Sequence, residues 1–459
     1  MVFASPVFLF IFLPAVLAAY YLSGKRNIVL LLSSLFFYAW GEPVYLLLML
    51  FSIAVNWFLA LKIGRSRRKC FLVSSVVLNL ALLAVFKYAD MFLSCFNGLF
   101  RANLPLGRIA LPLGISFYTF QILSYDIDVW RGDIPAEKSL LTLGTYISMF
   151  PQLIAGPIVR YSDIRGALTG EKRITLSAAA EGARRFCLGL GKKVIIANVV
   201  SQCADLAFDL GGELLGAGAA WAGAACYALQ IYYDFSGYSD MAIGLGGMLG
   251  FRFPENFHYP YLSGSVREFW RRWHITLSVW FRDYLYIPLG GNRRGAARTM
   301  LNLLIVFALC GLWHGADWSF AVWGLYHGLF LALERLPVFR KKLPKAAGIP
   351  LTLVIVTAGW VIFRADSLGA AWSYLRAMAG FGGSLAVTDV SGKVIWAAAA
   401  AGVLGCFPWL PLLKRKASEN ARLNRVLEFL SVLSAAAVLA LCVLMLVGGT
   451  YNPFIYFRF

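Results

Sequence analysis

The chain has 459 residues, 60% of them hydrophobic, and a mean hydropathy of +0.70, well beyond the roughly 45–50% apolar content of soluble domains. A soluble fold of this length cannot bury that excess, and the apolar runs are continuous rather than alternating in and out, which excludes a β-barrel. The formal net charge of +19 is dispersed between apolar runs, so it reads as contact with anionic headgroups rather than as a nucleic-acid surface.

The apolar runs fall at 5–22, 28–41, 43–61, 70–86, 111–130, 140–158, 186–206, 216–250, 274–290, 299–314, 317–336, 348–364, 393–411 and 426–448. Several are short or carry polar residues, which predicts re-entrant or interfacial helices among them. The expectation is an all-α polytopic membrane protein with about 11 crossings, on the criterion of roughly 20 apolar residues per crossing. It is read as a single domain over 1–459.

The first run, MVFASPVFLFIFLPAVLAAYYLSGKR, has no basic segment before it, and its first charge is Lys25. It reads as a retained helix rather than a cleaved signal. Lys25 and Arg26 follow it, and 28–41 and 43–61 form a hairpin turning at Gly41-Glu42-Pro43. The next loop, KIGRSRRK at 62–69, holds five positive charges. Both basic loops then lie on one side, which the positive-inside rule makes cytoplasmic, with the N-terminus outside. Further basic clusters are Arg267/Arg271/Arg272, Arg293/Arg294/Arg298, Arg340/Lys341/Lys342/Lys345 and Lys414/Arg415/Lys416.

The eight cysteines have no CxxC spacing, so neither a zinc site nor a redox pair is signalled. No internal repeat is visible, which disfavours many transporter folds. No Walker A motif or GxGxxG is present, GLGGMLG at 244–250 missing the latter by one residue. Its glycines read as close helix packing.

Ionisable residues at membrane depth are expensive and therefore functional candidates. Four segments hold most of them. LPLGISFYTFQILSYDIDVWRG (111–132) carries Tyr118, Gln121, Asp126 and Asp128. FPQLIAGPIVRYSD (150–163) carries helix-breaking Pro151, Gly156 and Pro157. QIYYDFSGYSDMAIG (230–244) carries Asp234, Ser236, Ser239 and Asp240. REFWRRWHITLSVWFRDYLYIPLGGNRRG (267–295) carries Trp270, Arg271, Arg272, Trp273, His274, Arg282 and Asp283. The last leads through RTMLNLLIVFALC into GLWHGADW (311–318), with Trp313, His314 and Trp318.

GxSxG, HExxH and a cysteine–histidine motif are all absent, so serine, metal and thiol chemistry are unsupported. Histidine as general base remains, taking a proton from a hydroxyl while that oxygen attacks a carbonyl. The chain has four histidines, His258, His274, His314 and His327. For His314 the alternative to a functional role is a buried imidazole bonded to a helix end. For His274 it is an interfacial side chain among Arg and Trp. His327 and His258 read as structural. The aspartates either line a pore or orient a histidine, or else pair with arginines to hold helices together, and the two readings are even. Arg271, Arg272, Arg282, Arg293 and Arg294 suit phosphate groups or snorkel to headgroups. Trp270, Trp273, Trp313 and Trp318 read as anchors or packing ahead of donor contacts.

LPLGISFYTFQ (111–121), MFPQLIAGPIVRY (149–161), IYYDFSGYSDMAIG (231–244), ENFHYPYLSGSVREFWRRWHITLSVWFRDYLYIPLGGNR (255–293), GLWHGADW (311–318), VIFRA (361–365) and NPFIYFRF (452–459) together resemble the membrane-bound O-acyltransferase (MBOAT) family. The branch is the bacterial one that includes the transmembrane subunit of alginate O-acetyltransferase. The resemblance implies a catalytic histidine at His314 and a second polar site residue at His274, forty positions earlier. It implies a helical ring thinned at its centre, with a cytoplasmic funnel for the acyl donor and no metal. Tyr118, Gln121, Asp234, Ser236, Trp270, Arg271, Arg282, Asp283 and Trp313 are the donor- or substrate-binding candidates.

LYIPLGGNR (285–293) resembles the polysaccharide-acetylation branch, which implies acetyl-CoA as donor substrate. The resemblance also implies that the acyl group passes across a bacterial inner membrane to an envelope polysaccharide, alginate-like or peptidoglycan. The implied partner is a periplasmic or extracellular acetyltransferase of SGNH or alginate-acetylation type. The alternatives are D-alanyl transfer to teichoic acid from a carrier protein, a transporter or flippase, and a non-catalytic scaffold.

Overall fold

The computed structural model describes residues 1–107, 109–170, 174–336 and 343–449. The basic residues Arg340, Lys341 and Lys342 and the terminal NPFIYFRF lie outside them. Among the described residues every named element is helical, with one isolated bridge between Leu215 and Leu385. Helices suit such a composition because lipid offers no partner for backbone N–H and C=O groups.

Among the described residues six helices are long and apolar enough to cross a membrane: Tyr45–Ser66, Lys69–Phe100, Leu176–Leu210, Gly295–His314, Lys345–Arg364 and Ala421–Gly448. A seventh is obtained if Lys393–Gly405 and Trp409–Ala417, bent by 50°, count as one. The tally falls short of the roughly 11 that apolar-run length suggested, because several runs are interrupted. The run at 5–22 is a π turn, Phe8–Phe12, continued by Leu13–Leu22. The run at 140–158 leaves helical geometry at Met149 (ψ 110°), resumes for Phe150–Leu153 and turns at Gly156 (φ 114°). The breakers read from 150–163 therefore act where expected. The run at 274–290 is helical only over residues 275–286, Ile275–Phe281 passing without a break into a π turn, Arg282–Tyr286, and is too short to cross. Hydropathy alone does not see such breaks.

The chain forms two compact units, Met1–Ala183 with Ala242–Pro254, and Arg184–Met241 with Glu255–Phe459. In the first, helices α1 (Tyr45–Ser66), α2 (Lys69–Leu83) and α3 (Ile115–Arg131) meet over a buried polar cluster. The Asn79 amide donates to Asn56 Oδ1 at 2.8 Å, the Asn56 amide donates to Asn79 Oδ1 at 3.3 Å, and the Ser75 hydroxyl lies within hydrogen-bond distance of both Asn56 Oδ1, at 3.1 Å, and the Asp126 carboxyl. Polar side chains of this kind bind helices together where no hydrophobic effect drives association. Asp126 thus ties helices through a serine, not through an arginine.

The second unit contains most of α4 (Ala217–Met248), the short helices α5 (Val266–Arg272) and α6 (Ile275–Phe281), and three long helices: α7 (Gly295–His314), α8 (Trp318–Leu333) and α9 (Lys345–Arg364). Residues 184–197 are tied to α4 by charge. Asp234 pairs with Lys193 at 2.7 Å, both side chains almost fully buried. Asp240 takes Arg185 at 2.8 Å and Lys192 at 2.6 Å.

Candidate active site

His314 is the last residue of α7. Gly315 ends the helix in an extended conformation, and Asp317 opens α8 by accepting the Ser319 amide at 2.8 Å. The hairpin is tight because its seam is glycine: a Cβ at Gly311 would strike the Phe320 carbonyl, and one at Gly324 the Phe307 carbonyl. Small residues let helix backbones touch in this way. The close approach sets Trp323 of α8 edge-on to His314, ring centroids 5.3 Å apart at 89°. Phe363 of α9 packs on the imidazole at 5.4 Å and Trp313 at 4.9 Å. His314 keeps 7% of its surface accessible, whereas His274 and His327 have none.

His274 stands at the break between α5 and α6, in the left-handed region (φ 41°, ψ 55°). That conformation is uncommon outside glycine. Here it is held by the segment 256–258 lying alongside: the Ile275 amide donates to Asn256 O at 3.0 Å and the His258 amide to Arg272 O at 2.9 Å. Asn256 also fixes the ring. Its Oδ1 accepts the Thr276 amide at 3.3 Å and the Thr276 hydroxyl at 2.9 Å, while its Nδ2 donates to Ser239 Oγ at 3.1 Å. The backbone amide can only donate, so the atom beside it is the oxygen. His274 Nδ1, 3.0 Å from that oxygen, must carry the hydrogen.

Nε2 of His274 then bears a lone pair, is buried, and has no protein hydrogen-bond partner among the described residues. His274 lies outside the helices able to cross a membrane. Burial, and then electrostatic interaction with His314, hold its imidazole well below the usual range, so the ring is neutral at physiological pH. Phe235 packs edge-on at 4.6 Å and Trp313 lies 6.2 Å away, between the two histidines. The forty positions separating them in sequence are closed by the fold into one row of rings.

Trp270, on α5, packs against Trp323 at 5.7 Å and His327 at 5.2 Å, and so reaches the same row. The N-terminus of α5 is fixed to the end of α8, since Glu334 accepts the Val266 and Arg267 amides at 2.6 and 3.0 Å. The other expected residues are placed differently. Arg271 is exposed. Arg282 is also exposed and forms a fork with Asp283 (2.6 and 3.1 Å). Asp234 is engaged by Lys193, and Ser236 is buried on α4. Tyr118 and Gln121 belong to the first unit, 1% exposed each, with the Tyr118 hydroxyl and both Gln121 amide atoms lacking protein partners among the described residues.

Sequence reasoning passed over Asn256, Glu334, Trp323 and Phe363. Trp323 had a readable signal, nine positions after His314 across a turn. Asn256 had none, because its effect depends on two segments lying side by side. His327, read as structural, sits fully buried inside the ring cluster, 5.2 Å from Trp323.

Residues 134–347 match the MBOAT, membrane-bound O-acyltransferase family. A probable alginate O-acetylase AlgI of Pseudomonas aeruginosa is 46% identical over 397 residues, 83% of this chain and 75% of the relative. The Pseudomonas putida protein of the same name is 41% identical over 488 aligned positions, spanning the whole of both chains. A peptidoglycan O-acetyltransferase of Helicobacter pylori is 36% identical over 425, 83% of this chain and 80% of the relative. With these relatives and this helical architecture, the chain belongs to the membrane-bound O-acyltransferase family and is an O-acyltransferase.

Proposed function

We propose that this protein is an inner-membrane O-acetyltransferase that takes acetyl from cytoplasmic acetyl-CoA for modification of an extracytoplasmic polysaccharide. The observation that carries the mechanism is His314 at the tip of a tight hairpin, in one row of rings with a neutral His274 whose buried Nε2 makes no protein hydrogen bond among the described residues. His314 takes the proton of the acceptor hydroxyl as its oxygen attacks the thioester carbonyl. The tetrahedral intermediate collapses, the C–S bond breaks, and the leaving thiolate receives that proton from His314. His274 orients a reactant by accepting a hydrogen bond at Nε2. Trp270 and Trp313 wall the reacting centre, and Arg271, exposed, meets a coenzyme A phosphate.

Relatives named as alginate and peptidoglycan acetylases support an envelope polysaccharide as the final acceptor. It is reached directly or through a periplasmic acetyltransferase of SGNH or alginate-acetylation type. The basic loop at 62–69 supports a cytoplasmic placement for that loop and an outside N-terminus. The test is His314→Ala in membranes supplied with labelled acetyl-CoA. Transfer is expected to fall about 10²- to 10⁴-fold, the usual worth of a general base; a native rate overturns the mechanism.

A further inference from the structure

Behind His314 lies a second group of polar atoms that this mechanism does not use. The rings of Trp270, Trp323 and His327 form a triangle, with centroids 5.7, 5.2 and 5.2 Å apart and every pair edge-to-face or nearly so. The indole N–H groups of both tryptophans and both ring nitrogens of His327 are buried with no protein hydrogen-bond partner among the described residues. Four such atoms in one cluster are not a packing device. A phenylalanine fills a ring-lined site as well as a histidine and leaves nothing unsatisfied. The backbone has also made way for this imidazole, since a Cβ at Gly359 of α9 would lie 2.7 Å from His327 Nε2.

We propose that Trp270, Trp323 and His327 form a buried hydrogen-bonding site for a small hydroxylic ligand, an ordered water, and that this site positions His314 through Trp323. The chemistry of the lining fits. Two indoles supply two donors and Nδ1 of a neutral imidazole supplies an acceptor, while Nε2, which a Cβ at Gly359 would meet at 2.7 Å, lies against α9. A buried water commonly makes about three hydrogen bonds. Trp323 has one edge-to-face contact with His327 and another with His314, so a tilt of the indole on one side moves the base on the other. His327 is a positioning residue in this scheme. The proposal rests on His314 being the base.

The test compares His327→Phe, which keeps the ring and loses the polar atoms, with His327→Gln, whose amide both donates and accepts. Purified proteins that elute as native on size exclusion are assayed for acetyl transfer against acetyl-CoA concentration. His327→Phe is expected to lose kcat about 10-fold with KM for acetyl-CoA unchanged, as one lost hydrogen bond implies. His327→Gln should recover most of the rate. Native kcat in His327→Phe, or equal loss in both variants, overturns the proposal. Should His327→Phe not fold, His327→Leu, which fills the same space with no donor or acceptor, replaces it with the same expected kcat loss. His314→Ala is run alongside: a native rate there sinks the base itself, whereas an inactive His314→Ala with native His327→Phe sinks only the positioning site.

Discussion

Asn256 decides which nitrogen of His274 is basic. By accepting from Nδ1 it leaves Nε2 as the lone-pair atom, and by bonding Ser239 and Thr276 it is itself held. Asn256→Asp places a carboxylate on the imidazole. A neighbouring negative charge favours the protonated ring, so the His274 pKa rises and its lone pair is lost at higher pH. The acid limb of the rate–pH profile is then expected to move to higher pH, with the alkaline plateau retained. An unmoved limb separates His274 from the reaction. The two histidines were legible in sequence because an ionisable group in an apolar setting stands out. Asn256 was not, because it lies eighteen positions before His274 and acts through a side-by-side arrangement that no spacing encodes. Nor was the row of rings, which needs Trp323, Phe363 and His314 from three separate helices.

Among the elements, the short helices are the informative ones. α5 has seven residues and no stability of its own, since isolated helices shorter than about 12 residues are marginal. Ser265 caps it by accepting the Glu268 amide at 3.1 Å, and Glu334 takes the two preceding amides. Glu334→Ala removes a carboxylate from a helix N-terminus, which costs about 1–2 kcal/mol. It also frees Trp270 from its place. The expected result is a lower thermal midpoint together with a raised KM for acetyl-CoA; an unchanged midpoint would show α5 to be held by packing alone. Apolar run length pointed to helices at 299–314 and 348–364, which the structure extends at their N-termini to Gly295–His314 and Lys345–Arg364. It also read α6 and the following π turn as one run, and the helix does continue through both.

For the whole molecule, the distribution of charge is the strongest statement about orientation. Cys70 and Cys95 are both exposed and sit near opposite ends of Lys69–Phe100. Twenty-five residues apart, they are separated by about 37 Å of helix, more than the hydrocarbon core. A membrane-impermeant thiol reagent is expected to modify Cys95 in intact cells and Cys70 only in inverted vesicles. The reverse pattern would put the N-terminus inside. The all-helical class was legible from composition. The division into two units was not, because it depends on which helices touch.

The glycine seam between α7 and α8 has a consequence for biogenesis. Two helices that meet backbone to backbone leave no gap for an acyl chain, so the pair enters the bilayer as one body with its turn leading. That turn carries His314 and Asp317, and a lone aspartate at the centre of a lipid-exposed helix costs roughly 2.5–3.5 kcal/mol on insertion scales. Asp317 is already spent on the Ser319 amide, and His314 is already wrapped by Trp323. Asp317 stays exposed at the turn, so insertion rests on the tightness of the seam, and a bulky residue at Gly311 or Gly324 should appear first as a loss of inserted protein rather than as a slower enzyme.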